Sequence, residues 1–162
     1  MKLVQIQKNE EKILERLLQL YLHDISSHFP IDFDEKKGIY LYDKLDKYFD
    51  NSNNYAYFIK NEENLLGFML IDSCDNEMIV QEMFVLNHHK NKGIGKDAAY
   101  SIFDKYKGNW IIKSLPCSEP SERFWNRTIK EYTNTKYEIE HIGKYNRAVF
   151  RFNNSEEKWW NI

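Results

Sequence analysis

The chain has 162 residues, of which 42% are hydrophobic and 30% charged, with a formal net charge of -2. That length suits one domain spanning 1–162 around a single sizeable core. The charge balance lacks the basic footprint of a dedicated nucleic-acid binder, so no nucleic-acid partner is expected and any anion site must be local. Cys74 and Cys117 are the only cysteines, and their separation offers neither metal-ligand spacing nor a disulfide framework, so no metal is expected. No stretch approaches the ~20 apolar residues of a membrane span, and Met1-Lys2-Leu3-Val4-Gln5 has no apolar signal region. The expectation is a cytoplasmic protein with reduced thiols and no membrane partner. Aromatics reach 15%, which suits core packing first, with a ligand cleft or a homodimer interface as the other uses.

Leu3 to Ile6 reads as a short strand. Ile13, Leu14, Leu17, Leu18, Tyr21 and Leu22 recur at helical spacing and predict an amphipathic helix over 9–25. Ser26 to Gly38, with Pro30 and several acidic residues, reads as a loop. Ile39-Tyr40-Leu41-Tyr42 with Leu45, Tyr48 and Phe49 suggests a second helix, followed by a turn at 51–54. Three strands come next, at 55–60, 65–71 and 78–86, separated by polar turns at 61–64 and 72–76, which makes an antiparallel meander. The pattern then changes to helical period after Gly95 and stops at Gly108. Trp110-Ile111-Ile112 is a short buried strand. A further helix spans 118–132, with Ser118 as N-cap and Pro120 in its first turn. Residues 136–142 and 147–152 form a last pair of strands. The fold class is mixed α/β, with no repeat and no second domain.

Between the third meander strand and the following helix lies Lys90-Asn91-Lys92-Gly93-Ile94-Gly95-Lys96. Gly93 and Gly95 let the chain turn without a Cβ in the way of a ligand. The first-turn N–H groups of a helix have no internal partner and face the positive end of its dipole, so they accept an anion. Three lysines add charge, and a pyrophosphate is the natural guest. A plain strand-to-helix turn with surface lysines is the alternative. The dinucleotide fingerprint is met only in its loose form, with Ala98 in its last position, and it normally opens a domain of repeated βαβ units. The P-loop fails because Asp97 follows Gly95-Lys96.

These residues resemble the coenzyme A-binding motif of the GNAT acetyltransferase superfamily: Arg or Gln, two residues, Gly, one residue, then Gly or Ala, following a strand and opening a helix. Lys90 occupies the first position, which keeps a cation but loses the planar fork of Arg. Cys117-Ser118-Glu119-Pro120-Ser121-Glu122-Arg123-Phe124-Trp125 is similar to the family's second coenzyme A segment, with Ser118 where an Asn is usual. Leu20 to Ser26 and Phe124-Trp125 to Glu131-Tyr132-Thr133 resemble an uncharacterised group of bacterial acetyltransferases within the superfamily. The resemblance implies a central mixed, mostly antiparallel sheet flanked by helices and splayed at an acetyl-CoA site. It also implies acetyl-CoA as acyl donor, held by Phe84, Val85, Lys90, Asn91, Lys92, Gly93, Ile94, Gly95, Lys96, Ser118, Phe124 and Trp125.

Acetyl transfer to an amine requires loss of the amine's proton, stabilisation of an oxyanion and departure of a thiolate. The resemblance implies a backbone N–H for the oxyanion, with Val85 the best fit and Phe84 adjacent. Glu82, on the same strand, can draw the proton directly or through water; a solvent-facing strand residue is the equal alternative. Many family members carry a Tyr beside the sulfur where this chain has Trp125, whose indole N–H is no useful acid. Trp125 is expected to flank the pantetheine arm, or else to sit in the core. Tyr132, about two helical turns on, is the remaining candidate acid, with a core or interface role as its alternative. Asp24, near the end of the first helix, can bind a cationic amine or simply pair with a neighbour. Cys117 is taken as structural, and His88 and His89 as exposed. The expected acceptor is a primary amine of a small molecule; a protein or peptide amine, and a non-catalytic acyl-CoA-binding module, are the competing readings.

Overall fold

A computed structural model of the chain describes residues 1–50, 53–62 and 64–155. Strand β1 (Lys2–Gln5) and a 3-10 turn lead into helix α1 (Glu11–Ser26). The apolar stripe of α1, Leu14, Leu17, Leu18, Tyr21, Leu22 and Ile25, is buried, as its spacing requires. The segment expected to be pure loop contains a two-stranded hairpin, β2 (Phe33–Asp34) with β3 (Ile39–Tyr40), turned at Gly38, whose φ is +66°.

The second helix expected over 39–49 shrinks to one turn, α2 (Lys47–Asp50). The backbone of Tyr40 is claimed elsewhere: its N–H donates to Gln19 Oε1 (2.8 Å) and its carbonyl accepts from Gln19 Nε2 (2.9 Å). The side chain of α1 thus holds residues 39–40 extended, and β2 pairs with them. The expected turns at 51–54 and 61–64 fall partly on residues 51, 52 and 63, outside the described ones.

The meander forms as β4 (Asn54–Asn61), β5 (Asn64–Cys74) and β6 (Glu77–Val85). Helix α3 (Ile94–Lys105), strand β7 (Asn109–Lys113), helix α4 (Glu119–Thr133) and the hairpin β8 (Glu138–Ile142) and β9 (Arg147–Asn153) complete the order. Ser118 caps α4 by accepting from Ser121 N–H, and Pro120 stands in the first turn.

Seven strands make one sheet in the order β1-β4-β5-β6-β7-β9-β8. Every neighbouring pair is antiparallel except β6 and β7. One face packs on α1 and α2 through Leu14, Leu18, Phe58, Phe68 and Phe84. The other packs on α3 and α4 through Ala98, Ile102, Phe103, Trp125 and Ile129. The fold is the expected mixed α/β architecture with helices on both sides of a mostly antiparallel sheet.

Candidate active site

The single parallel pair in the sheet is also where it opens. Strands β6 and β7 are in register only from Glu77 opposite Asn109 to Val80 opposite Ile112. Beyond that rung each strand follows its outer neighbour. β6 stays with β5 as far as Gly67 opposite Val85, and β7 stays with β9 until Ser114 N–H donates to Ala148 O (2.9 Å). The sheet is therefore splayed between residues 81–85 and 113–115.

A bulge sets what faces that opening. Leu70 lies opposite Glu82 while Ile71 lies opposite Val80, so Gln81 is an extra residue in β6. Side chains alternate along a strand. Met78 and Val80 point into the α3/α4 core, yet Phe84 belongs to the α1/α2 core. The extra residue reverses the parity and turns Glu82 toward α1.

There Glu82 is partly buried between two tyrosines. Tyr21 donates to its Oε2, and Tyr42 donates to its Oε1 at 3.3 Å. Burial pushes the Glu82 carboxyl above the usual carboxylate range, against the opposing pull of the two hydroxyls and of the positive charge on Arg147. Burial, then the charge of Glu82, drives Tyr21 well above the ordinary phenol range, and the same two causes raise Tyr42. Both tyrosines therefore stay protonated and act as donors. Arg147, on β9, donates through Nε to Ser114 O at the end of β7. Glu82 is thus a desolvated carboxylate, oriented from both sides, at the mouth of the splay.

On the other face of the strand the chain runs into the glycine loop. Gly93 caps α3 in a left-handed conformation (φ +80°), which favours glycine, and no side chain caps the helix. Gly93 O accepts from Asp97 N–H (3.0 Å), while the N–H groups of Ile94, Gly95 and Lys96 have no acceptor within the helix. Asn91 is also left-handed (φ +60°), so the loop curls ahead of those donors. This uncapped start fits a pyrophosphate. Lys90 Nζ pairs with Asp24 (3.2 Å) and Lys96 Nζ with Glu131 (2.8 Å), whereas Lys92 forms no ion pair among the described residues. A Cβ on Gly95 would stand 3.2 Å from Cζ of Phe124, so glycine there lets the Phe124 ring lie against the first turn of α3.

For four of the expected site residues the structure shows which of their alternative surroundings they have. Asp24, expected either to bind an amine or to pair with a neighbour, is paired with Lys90 and ties the end of α1 to the loop. The Ser118 oxygen accepts the capping bond of α4. Trp125 is 6% exposed and belongs to the α3/α4 core, and the neighbouring Phe124 is the ring that reaches the loop. Tyr132 is buried among Phe103, Tyr100 and Phe152 and donates to Asp104 (2.8 Å), so it is built into the core rather than turned to the opening. Leu86 N–H donates to Leu66 O (2.8 Å), and alternation turns the preceding Val85 N–H to the opposite edge, where β7 has parted. The Phe84 ring tilts against Tyr21 (5.8 Å). Tyr21, Tyr42 and Arg147 were missing from the sequence expectations as site residues.

A cleft of about 560 Å³ lies beside the opening, between α1 and residues 39–46, with Glu15, Gln19, Tyr40 and Asp43 among its walls. Tyr42 lines it and also reaches Glu82. Among the described residues there is no group of His, Cys, Asp or Glu suited to a metal ion, and no helix is long and apolar enough to cross a membrane.

Comparison with solved structures gives the same architecture. An acetyltransferase from Thermus thermophilus superposes with a TM-score of 0.67 at 8% identity, covering 94% of this chain and 96% of that one. The paiA N-acetyltransferase from Thermoplasma acidophilum, solved in complex with coenzyme A, gives 0.63 at 9% identity over 94% and 98% of the two chains. An acetyltransferase of the GNAT family from Staphylococcus aureus Mu50 gives 0.61 at 16% identity over 94% and 98%. At these identities the likeness is one of fold. No curated protein matches the chain. The sequence itself matches the profile of the Acetyltransferase (GNAT) family over residues 17–129, a span that runs from α1 through the splayed pair and the glycine loop into α4. The chain belongs to the GNAT family of acetyltransferases.

Proposed function

We propose that the protein transfers the acetyl group of acetyl-CoA to a primary amine of a small molecule, by direct attack within a ternary complex. The observation that carries this reading is Glu82, a carboxylate desolvated and clamped by Tyr21 and Tyr42 at the mouth of the splay. Acetyl-CoA supplies the activated acyl group. The N–H groups of Ile94, Gly95 and Lys96 and the charge of Lys92 hold its pyrophosphate, with Asn91 and Gly93 shaping the loop. Phe124 packs beside that loop, and Val85 N–H faces the thioester carbonyl.

Glu82 accepts a proton from the bound ammonium, directly or through water, and the neutral amine attacks. The new N–C bond forms as the C–S bond breaks, the electron pair of that bond leaves on sulfur, and the second proton lost by the attacking nitrogen passes to the thiolate or to water. A free thiol has a pKa of about 8.5, so its thiolate is a tolerable leaving group near neutral pH without a dedicated acid. This accommodates the core positions of Trp125 and Tyr132. The raised carboxyl suits the role, because a base with a pKa nearer to neutral is the stronger proton acceptor.

The test is thiol release from acetyl-CoA across a panel of small amines, peptides and a lysine-rich protein. Turnover confined to small amines supports the reading. Turnover confined to peptide or protein amines replaces the acceptor class. Tight coenzyme A binding with no thiol released by any amine identifies a binding module instead.

A further inference from the structure

Arg147, on β9, is a second, oppositely charged group whose field acts on Glu82. Beyond the last shared rung, Val80 opposite Ile112, Glu82 follows the bulge on β6 and Ser114 follows the end of β7 on the other lip. Ser114 is 2% exposed, its Oγ accepts from Ala148 N–H (3.2 Å), and its carbonyl accepts from Arg147 Nε. The strand end therefore fixes the guanidinium by one nitrogen. Among the described residues no carboxylate stands within ion-pairing distance of Arg147. Burial lowers its pKa from the ordinary arginine value, and the charge of Glu82 acts in the opposite sense. A guanidinium has five N–H donors in a planar fork that matches a carboxylate. Holding such a group half-buried without a carboxylate of its own leaves a desolvated cation with donors to spare. Nearby, Phe29 and Tyr145 meet edge to face (4.9 Å) and join the segment after α1 to the β8–β9 turn that leads into Arg147.

We infer that the acceptor is an amine carrying its own carboxylate, an amino acid, with Glu82 receiving the ammonium end and Arg147 the carboxylate end. This rests on the reading of Glu82 as the proton acceptor for an amine. The two side chains come from opposite lips of one splay, so together they offer a negative and a positive group to a zwitterion. A simple alkyl amine satisfies Glu82 and leaves Arg147 unpaired, and a buried polar group left without its partner is where discrimination between acceptors arises.

The experiment compares each L-amino acid with the amine that lacks its carboxylate, for example phenylalanine with phenethylamine and lysine with cadaverine. It measures kcat/KM by thiol release in the parent, Arg147→Gln and Arg147→Lys. The ratio of acid to amine within one variant, compared across variants, cancels intrinsic amine reactivity. The parent is expected to favour the amino acid for at least one pair, and Arg147→Gln to lower that ratio by about tenfold to a hundredfold, with Arg147→Lys between. A ratio unchanged in Arg147→Gln, with both acceptors falling together, overturns the inference, because Arg147 then acts only through Glu82 or the fold. If Arg147→Gln does not fold, a parent that turns over every amine as well as its amino acid overturns it without any variant. Calorimetric binding to the coenzyme A-loaded protein separates this from the proton-transfer reading. Glu82→Gln without turnover that still binds phenylalanine more tightly than phenethylamine supports the carboxylate site. Equal binding of the two by that variant and the parent counts against it. An inactive parent that binds the amino acid in an Arg147-dependent way refutes the reaction and keeps the site.

Discussion

Replacing Glu82 by Gln removes the proposed proton acceptor while preserving its shape and one acceptor oxygen for the tyrosine hydroxyls. An alkyl amine with a pKa near that of lysine, ~10.4, is neutral in only about one molecule in 2,500 at pH 7. Without a base, attack draws on that fraction alone, so the expected loss in kcat/KM is on the order of 10²–10³-fold at neutral pH. The loss should shrink about tenfold per pH unit as the amine deprotonates in solution, until its own pKa is reached. The same change should raise stability. Burial lifts the folded-state pKa of Glu82, so the fold disfavours the ionised form. Below the unfolded carboxylate value neither state is ionised and the penalty is absent. It grows as pH rises from there and is fully present above the folded value. The melting temperature of Glu82→Gln should therefore gain on that of the parent as pH rises through this window. Thiol release against pH and thermal melts across the same buffers read both effects. A variant within about twofold of the parent at every pH would refute the assignment of Glu82 as base and point to solvent or another residue.

Tyr42→Phe removes a hydrogen bond that favours ionised Glu82, so the acid limb of the kcat/KM profile should move to higher pH; an unmoved limb would mean that Tyr42 does not hold the working carboxylate. Gly93→Val puts a β-branched residue at φ +80° ahead of the uncapped helix start, and calorimetry should show weakened acetyl-CoA binding; unchanged affinity in a folded variant would remove the loop from the site. Trp125→Tyr should lower stability by about 1–3 kcal/mol, because a smaller ring with a hydroxyl replaces a buried indole, and should leave coenzyme A affinity close to that of the parent. Restored or raised turnover in that variant would instead place position 125 beside the sulfur.

What the sequence could and could not reveal follows from the range of each interaction. The meander, α1, α3 and α4 are written in local periodicity, and the glycine loop in local backbone needs, so all were readable. Residues 39–46 were not: their apolar and aromatic side chains mimic a helical stripe, but Gln19 takes the Tyr40 backbone from another helix. The partners of Glu82 come from 61 and 40 residues away, and nothing in a single sequence marks Tyr21 as more than one of six buried positions on α1. Phe124 and Trp125 show a different limit. Adjacent helical residues point about 100° apart, so aligning a motif one position off exchanges the ring at the loop for the ring in the core.

One inserted residue links these observations. Were Gln81 an ordinary strand residue instead of a bulge, strict alternation along β6 would carry Glu82 and Phe84 into the α3/α4 core with Met78 and Val80, and a carboxylate there would be buried among apolar groups without donors. With it, the strand presents apolar Met83 and Val85 to the α3 side and Glu82 to Tyr21 and Tyr42. The bulge lies immediately after Val80, whose rung with Ile112 is the last that β6 shares with β7. Bulges bend and twist the strand that carries them. The same extra residue can therefore both end the parallel pairing and choose the face on which the carboxylate meets the opening. The sheet gives up ladder hydrogen bonds on one side of β6 and hides an ionisable group on the other. Each is a local loss for stability, and in the proposed reaction the two coincide where the thioester carbonyl requires an unpaired N–H and the ammonium a desolvated base.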